Sequence, residues 1–230
     1  MPNSSKKTTT KPRSPRSDGA ETRQQILQTA GQLFALKGYG RVTSKEICAV
    51  ANTNVAAVNY HFGDRDALYA AVLIEAHAQL VQLTDLEQIR QTDAPPEQKL
   101  RALISLFINR TVGTGQSWGF SVLAHELMSP SSQAATLLQV AVLPKIRIMV
   151  QLIAQVLDLP PDHAAVQRGL AFVVMPCVML AIAPKTLLGQ ALPSLFDPKN
   201  GLTLDLTDYA LAGLAALKQK HQPGTPSSTS

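Results

Sequence analysis

Two very short helical segments flanking Asn52-Thr53-Asn54 narrow the possible folds more than any other stretch of this chain. Thr43-Ser44-Lys45-Glu46 reads as a capping box, a hydroxyl cap with an acid three residues on, and it opens a helix with Ile47, Val50 and Ala51 on one face. Asn52-Thr53-Asn54 is a turn signal, and Asn54 is a good N-cap for a second short helix, Val55 to His61. Gly63-Asp64 breaks that helix and restarts a longer one through Leu68, Val72, Leu80 and Leu83. Upstream, Asp18 and Glu21 form another capping box. Ile26, Ala30, Leu33 and Phe34 then repeat at helical spacing until Gly38 stops the helix. Helices this short leave one small core, made of Ile26, Leu33, Phe34, Ile47, Val50, Val58, Phe62 and Leu68.

Two short helices joined by a tight turn are the geometric core of a helix-turn-helix, whose second helix lies in a DNA major groove. Such a helix needs small or polar residues facing outward, and Val55, Ala56, Ala57, Asn59, Tyr60 and His61 supply them. Asn59 suits an adenine edge, and the methyl groups of Val55 and Ala57 suit a thymine methyl. Lys45, Tyr60, His61 and Arg65 suit phosphates, as do the free N–H groups at Thr43. The candidate DNA-binding set is therefore Thr43, Lys45, Asn54, Val55, Ala57, Asn59, Tyr60, His61 and Arg65. Charge agrees. The net charge is +5, and residues 1–70 hold ten Lys and Arg against five Asp and Glu, whereas residues 71–230 balance to zero. All the excess positive charge thus sits where a polyanion would dock.

The stretch TSKEICAVANTNVAAVNYHFGDRDALYAAV resembles the DNA-binding signature of the TetR family. Thr43, Ile47, Ala51, Val58, Tyr60-His61, Phe62, Arg65 and Leu68 carry the likeness, with Phe34 and Gly38-Tyr39 before them, over about residues 20–75. Two positions depart from the family pattern. Asn52 stands where Gly is usual, a residue that still tolerates a left-handed backbone, and Asn59 stands where Tyr is usual. The AAVNYHFG wording and a later LDLPPD are similar to the CecR-like branch of that family. The resemblance implies an all-α homodimer: an N-terminal three-helix module that binds a double-stranded operator, and a C-terminal helical domain that dimerises and binds a small-molecule effector. Ligand binding would change the spacing of the two recognition helices and release the DNA.

Beyond Pro95 the helices are longer: one through Leu100 to Ile108, another from Trp118 to Met128, a third over 132–158 with a kink expected at Pro144, and one at about 162–187. Pro193 to Gly201 reads as a loop, and a last helix runs from about Asp205 to Lys220. The expected organisation is a basic disordered tail at 1–19, the DNA-binding module at 20–75, the regulatory domain at 76–220 and a disordered end at 221–230. The helix at 162–187 and the last helix are the candidate dimer interface. A stripe of Leu206, Tyr209, Gly213 and Leu217 with Leu211 and Leu214 marks the latter, and Leu214→Glu is expected to give a folded monomer.

No catalytic, metal or cofactor constellation assembles. Gly113-Thr114-Gly115-Gln116-Ser117 lacks the Lys-Ser/Thr of a phosphate loop, and Gly119-Phe120-Ser121 lacks the second Gly of a nucleophile elbow. His125-Glu126 has no second His at i+4, and His77, His163 and His221 are expected at the surface. Cys48 and Cys177 lie far apart in apolar helical surroundings, as buried small hydrophobes in a reducing compartment. No signal peptide is visible, and the most apolar run, Leu170 to Ala183, reads as too short to span a bilayer, so a soluble cytoplasmic protein without a membrane partner is expected. Asn109, Arg110, Gln116, His125, Gln139, Arg147 and Gln151 are polar groups on apolar helix faces. The candidate ligand-binding set is Phe107, Arg110, Trp118, His125, Arg147 and Gln151. An enzyme or carrier for a hydrophobic molecule and a non-specific DNA binder remain as alternatives.

One consequence of the charge distribution is testable. Deleting residues 1–17 removes Lys6, Lys7, Lys11, Arg13 and Arg16 but no core residue. DNA affinity should fall and its dependence on salt should flatten while site preference stays; a salt titration of binding would show an unchanged slope if the tail does not touch phosphates.

Overall fold

The computed structural model describes residues 15–112, 117–196 and 201–222. Every regular element among them is helical, apart from short turns. Residues 1–14, the 113–116 part of the glycine-rich segment, the 197–200 part of the loop expected from Pro193 to Gly201, and the 223–230 end lie outside the described residues.

The N-terminal unit begins with α1 (Pro15–Lys37), which starts earlier than the capping box at Asp18 indicated. A helical turn at Tyr39–Arg41 leads to α2 (Ser44–Val50) and α3 (Val55–Phe62). Three positive-φ residues make the tight chain reversals: Gly38 at 76° ends α1, Asn52 at 49° turns the chain between α2 and α3, the left-handed conformation its short amide side chain tolerates, and Gly63 at 92° ends α3. α4 (Arg65–Leu80) follows from the Asp64 cap. Ile26, Phe34, Ile47, Val58 and Leu68 are buried together as expected, with Leu33 and Phe62 at the edge. Val50 departs from the expectation: it is 60% exposed, because it sits at the end of α2 beyond the face that Ile47 and Cys48 turn inward.

The expected single helix through Leu83 is broken. α4 stops at Leu80, Val81 is extended, and a capping box between Gln82 and Asp85 starts α5 (Leu83–Gln91). α6 (Pro96–Val112) and α7 (Trp118–Met128) follow. α7 crosses α4 closely. A Cβ on Gly119 would come within 3.0 Å of the Ala76 backbone, and a Cβ on Gly31 of α1 would strike the Trp118 ring at 2.6 Å. The N-terminal core therefore runs on into α7 through Val122, and the 75/76 division falls inside α4.

α8 (Ala134–Leu137) passes through a π turn at Leu138–Val142 into α9 (Leu143–Leu157). That wide turn precedes Pro144, which has no N–H and would clash with the carbonyl four residues back, so the expected kink takes this form. α10 (Ala164–Ile182) continues through Pro176 without a break and ends before Pro184. α11 (Lys185–Ala191), a 3-10 turn at Pro193–Phe196 and α12 (Leu202–His221) complete the chain. Ala134–Leu157 and Ala164–Ile182 are long and apolar enough, by length and composition, to cross a membrane, which corrects the expectation that the run at 170–183 is too short. Their inner faces, including Ile153, Leu157, Val166 and Leu170, build the second core with α6 and α12.

Leu214 belongs to that core. It is buried, and its Cδ2 would lie 2.9 Å from a Cβ placed on Gly169 of α10. The expectation that Leu214→Glu yields a folded monomer is therefore corrected: a buried charge facing α10 should unfold the C-terminal helices. Leu214→Ala should cost about 2–5 kcal/mol, measured by urea denaturation, and circular dichroism of the Glu variant should show lost helicity.

Candidate nucleic-acid interface and the buried polar cluster

The capping chemistry read from the sequence is present. Thr43 Oγ1 accepts the Glu46 N–H at 3.2 Å, and Asn54 Oδ1 accepts the Ala57 N–H at 2.9 Å. These two residues fix where α2 and α3 begin. Gln25 Nε2 of α1 donates to the Ala51 carbonyl at 3.1 Å and pins the turn from behind. Val58 is sealed in the core, so α3 turns Val55, Ala56, Asn59 and Tyr60 to solvent, with Tyr60 83% exposed. Ala57 and His61 are half-buried, and Lys45 is exposed at the first turn of α2. The ring of His61 lies 5.0 Å from Tyr60 and 6.4 Å from Phe62, and Arg23 covers the Phe62 ring at 4.8 Å. Arg23 and Gln25 were absent from the sequence-derived set, because their work depends on α1 lying across α2 and α3.

Arg65 takes a different position from the phosphate contact expected of it. Its Nε donates to the Val42 carbonyl at 2.8 Å, a terminal nitrogen donates to the Tyr39 carbonyl, and the guanidinium stacks on the Tyr39 ring at 4.1 Å. It is a strut between α4 and the turn after α1. Tyr39 stacks on Tyr69 at 4.3 Å, Phe34 meets Tyr69 edge-on at 4.8 Å, and Tyr69 donates its hydroxyl to the buried Glu126 of α7 at 3.0 Å. Burial and the Glu126 carboxylate push the Tyr69 phenol well up, so it remains a donor. Glu126 also accepts from the Ser131 N–H and hydroxyl, each at 2.9 Å.

The six ligand-set residues do not converge. Trp118 donates Nε1 to Gln28 of α1 at 2.8 Å, and His125 donates Nδ1 to the Phe34 carbonyl at 3.3 Å, so both lie on the seam between α7 and α1. Phe107 is plain core, Arg147 is exposed, and Arg110 pairs with Asp85 at 2.8 Å. Gln151 stands at the edge of a cavity of about 280 Å³ between α5, α6 and α9. Asn109 and Gln139 are exposed, and Gln116 lies outside the described residues.

The polar residues that do gather were not in that set. Lys145 of α9 is 5% exposed, and its ammonium donates to Nδ1 of His77 on α4 at 2.7 Å. Asp85 and Arg110 stand close enough to act on it electrostatically. Desolvation, then the Arg110 charge, lowers Lys145 to about 8 against the partial support of Asp85. Desolvation, then Lys145, lowers His77 to about 4, so at neutral pH the imidazole is an uncharged acceptor. His77 is thus not the surface residue expected. Helical phase was the available signal: Lys145 is in register with Met149 and Leu152, and His77 with Leu73 and Leu80. No group of three metal-ligating side chains occurs among the described residues.

Known proteins match this architecture. Residues 26–72 match the family described as bacterial regulatory proteins, tetR family, and residues 96–217 match the C-terminal domain of the HTH-type transcriptional dual regulator CecR. The HTH-type transcriptional repressor NicS of Pseudomonas putida is 31% identical over 84 residues, which is 36% of this chain and 39% of that repressor's length. The fatty acid degradation regulator FadR from Bacillus halodurans superposes with a TM-score of 0.63 at 12% identity, over 83% of this chain and 98% of that one. The SmeT–triclosan complex does so at 0.61 and 17%, over 84% and 91%. At these identities the two structures speak for the fold alone.

The cluster has a pH signature. A lysine whose pKa is lowered on folding disfavours the folded state while charged, and that penalty lifts as pH rises through the folded value. Stability should therefore rise between about pH 8 and the usual lysine value of 10.5. Lys145→Met should flatten that rise in urea denaturation measured across the range, and an identical slope in both proteins would contradict the burial of this charge.

Proposed function

Because the chain belongs to the TetR family of bacterial regulatory proteins and carries a C-terminal domain of the CecR type, we propose that it is a homodimeric, sequence-specific transcriptional repressor in the cytoplasm, released from a palindromic operator by a small hydrophobic ligand. The observation that carries this reading is the outer face of α3. Val55, Asn59 and Tyr60 reach solvent from a helix whose opposite side is locked into the core and whose start is fixed by the Asn54 cap. Residues 20–75 form the binding module and 76–220 the sensor and dimeriser. The matched repressor NicS supports repression as the direction.

Two copies are needed because one short recognition helix reads few base pairs, and a two-fold dimer fits a palindrome. The dimer face consists of the outer sides of α10 and α12. Phe172 and Met175 are each 62% exposed, Met179 continues their stripe, and Tyr209 on α12 is 76% exposed beside Gly213, which has open space around its Cα. Apolar groups in such a row are an interaction surface rather than a solvated one.

A gel shift on the DNA upstream of the protein's own gene, with scrambled competitor, tests the reading. Asn59→Ala should weaken cognate binding by about 1–3 kcal/mol and relax one base position. Equal weakening on every sequence would remove Asn59 as a base reader. Ligand binding without any DNA binding would favour the carrier alternative, and indifference to the competitor would favour a non-specific binder. Light scattering of Phe172→Glu should report a folded monomer with poor operator affinity; a full dimer would place the interface elsewhere.

A further inference from the structure

The segment that joins α10 to α12 has the composition of a contact surface and touches little of its own chain. Residues 184–196 (PKTLLGQALPSLF) hold five large apolar side chains and a single charge. That charge is engaged, since Lys185 donates its ammonium to the Thr111 carbonyl at the end of α6. No residue of the segment is buried. Leu187 is 64% and Leu192 55% exposed, and a Cβ on Gly189 would meet nothing within 4 Å. α11 packs chiefly on the Pro193–Phe196 turn that follows it. A helix of seven residues is marginal in water and is held by the packing of its apolar side. Residues 129–133 (SPSSQ), between α7 and α8, show the contrast: a polar connection that needs no cover.

Position identifies what covers the segment. It leaves α10 at Ala183, and the chain re-enters a helix at Leu202 of α12. Those two helices carry the dimer face proposed above. On α10 the stripe of Phe172, Met175 and Met179 runs toward the segment, and on α12 Leu204, in the first turn, is exposed as well. Exposed apolar surface is therefore continuous from α10 through α11 to α12, and a patch of that extent is an interaction surface. Between the segment and α12 lies an open cleft of about 620 Å³, with Leu192, Leu195 and Leu202 on its walls. In a two-fold dimer the same patch meets itself, so a ridge and a cleft side by side on one copy fit the cleft and ridge of the other. The root of the segment lies beside the N-terminal unit, where Ala183 and Pro184 share a small cavity with Ala35 of α1 and His125 of α7.

We propose that residues 184–196 are an arm that clasps a second copy of this chain, with Leu187 and Leu192 packed across the subunit boundary. The inference rests on the dimer proposed above and adds to it a contact region outside α10 and α12. The arm closes the dimer at the end that carries the DNA-binding modules.

Sedimentation of the full-length protein over a dilution series tests this, with Leu187→Glu/Leu192→Glu and Phe172→Glu beside the wild type. Both leucines are exposed in the single chain, so the arm variant should keep wild-type helicity by circular dichroism; Leu187→Ser/Leu192→Ser serves if it does not. The arm variant should have a dimer dissociation constant at least about tenfold above that of the wild type. Hydrogen exchange should show the 185–192 amides protected in the wild-type dimer and open in the monomer, obtained by dilution or by Phe172→Glu. An arm variant that dimerises as tightly as the wild type would overturn the proposal. Arm amides that exchange alike in dimer and monomer would overturn it too, whether the arm then lies on its own body or awaits another partner. In either case a dimeric wild type leaves the dimer reading standing, while a wild type that stays monomeric at every concentration removes that reading and the arm with it.

Discussion

The hydrogen bond from Tyr69 to Glu126 is the contact on which the two halves depend. Both groups are buried, and each would cost about 1–3 kcal/mol if left without its partner, so neither can move without the other. Tyr69 sits on α4 and Glu126 on α7, and α7 also reaches α1 through Trp118 and the Phe34 carbonyl through His125. On its other side Tyr69 stacks on Tyr39, which carries Arg65 on its face. The recognition helix is thus positioned by a continuous column of rings and charged hydrogen bonds that begins in the body of the protein. A helix-turn-helix of this size has too little core to set its own orientation. It borrows rigidity from α7.

α4 belongs to both cores. Val72 and Leu73 pack into the N-terminal cluster and Leu80 into the C-terminal one. His77 is twelve residues along the helix from the Arg65 strut, about 18 Å along the axis. Val81 is extended, so α4 ends there and α5 starts afresh. Lys145 holds the helix at one end and the Tyr39 and Val42 carbonyls hold it at the other.

What was legible in the sequence followed local rules. Caps at Thr43 and Asn54, the left-handed turn at Asn52 and the outward face of α3 depend on residues a few positions apart, and each appears where the spacing placed it. The misread residues are those whose partners lie far along the chain. Arg65 looks like a phosphate ligand until Tyr39 folds under it. Leu214 looks like an interface residue until Gly169 opens a slot for it, and that slot exists only because a residue on α10 has no side chain. Val50 fits an inward stripe by period, yet as the last residue of α2 it lies beyond the face that Ile47 and Cys48 turn inward. The polar residues chosen for a ligand pocket were picked for their apolar neighbours in sequence. Burial depends instead on helical phase against other helices, and phase selects Lys145 and His77 where composition selects Arg147 and Gln151.

The two halves also handle charge in opposite ways, and that division is consistent with their separate tasks. Among the described residues, the N-terminal half keeps Arg23 on a ring, Arg65 on carbonyls and a ring, and Lys45 exposed, none of them burdening the core. The C-terminal half is neutral overall but places a cation inside, where water cannot screen it. An exposed lysine answers to salt and to any anion in reach. A buried one answers to the groups packed against it. Lys145 acts within the body of the protein, on His77, and His77 is carried on the helix that α3 packs against.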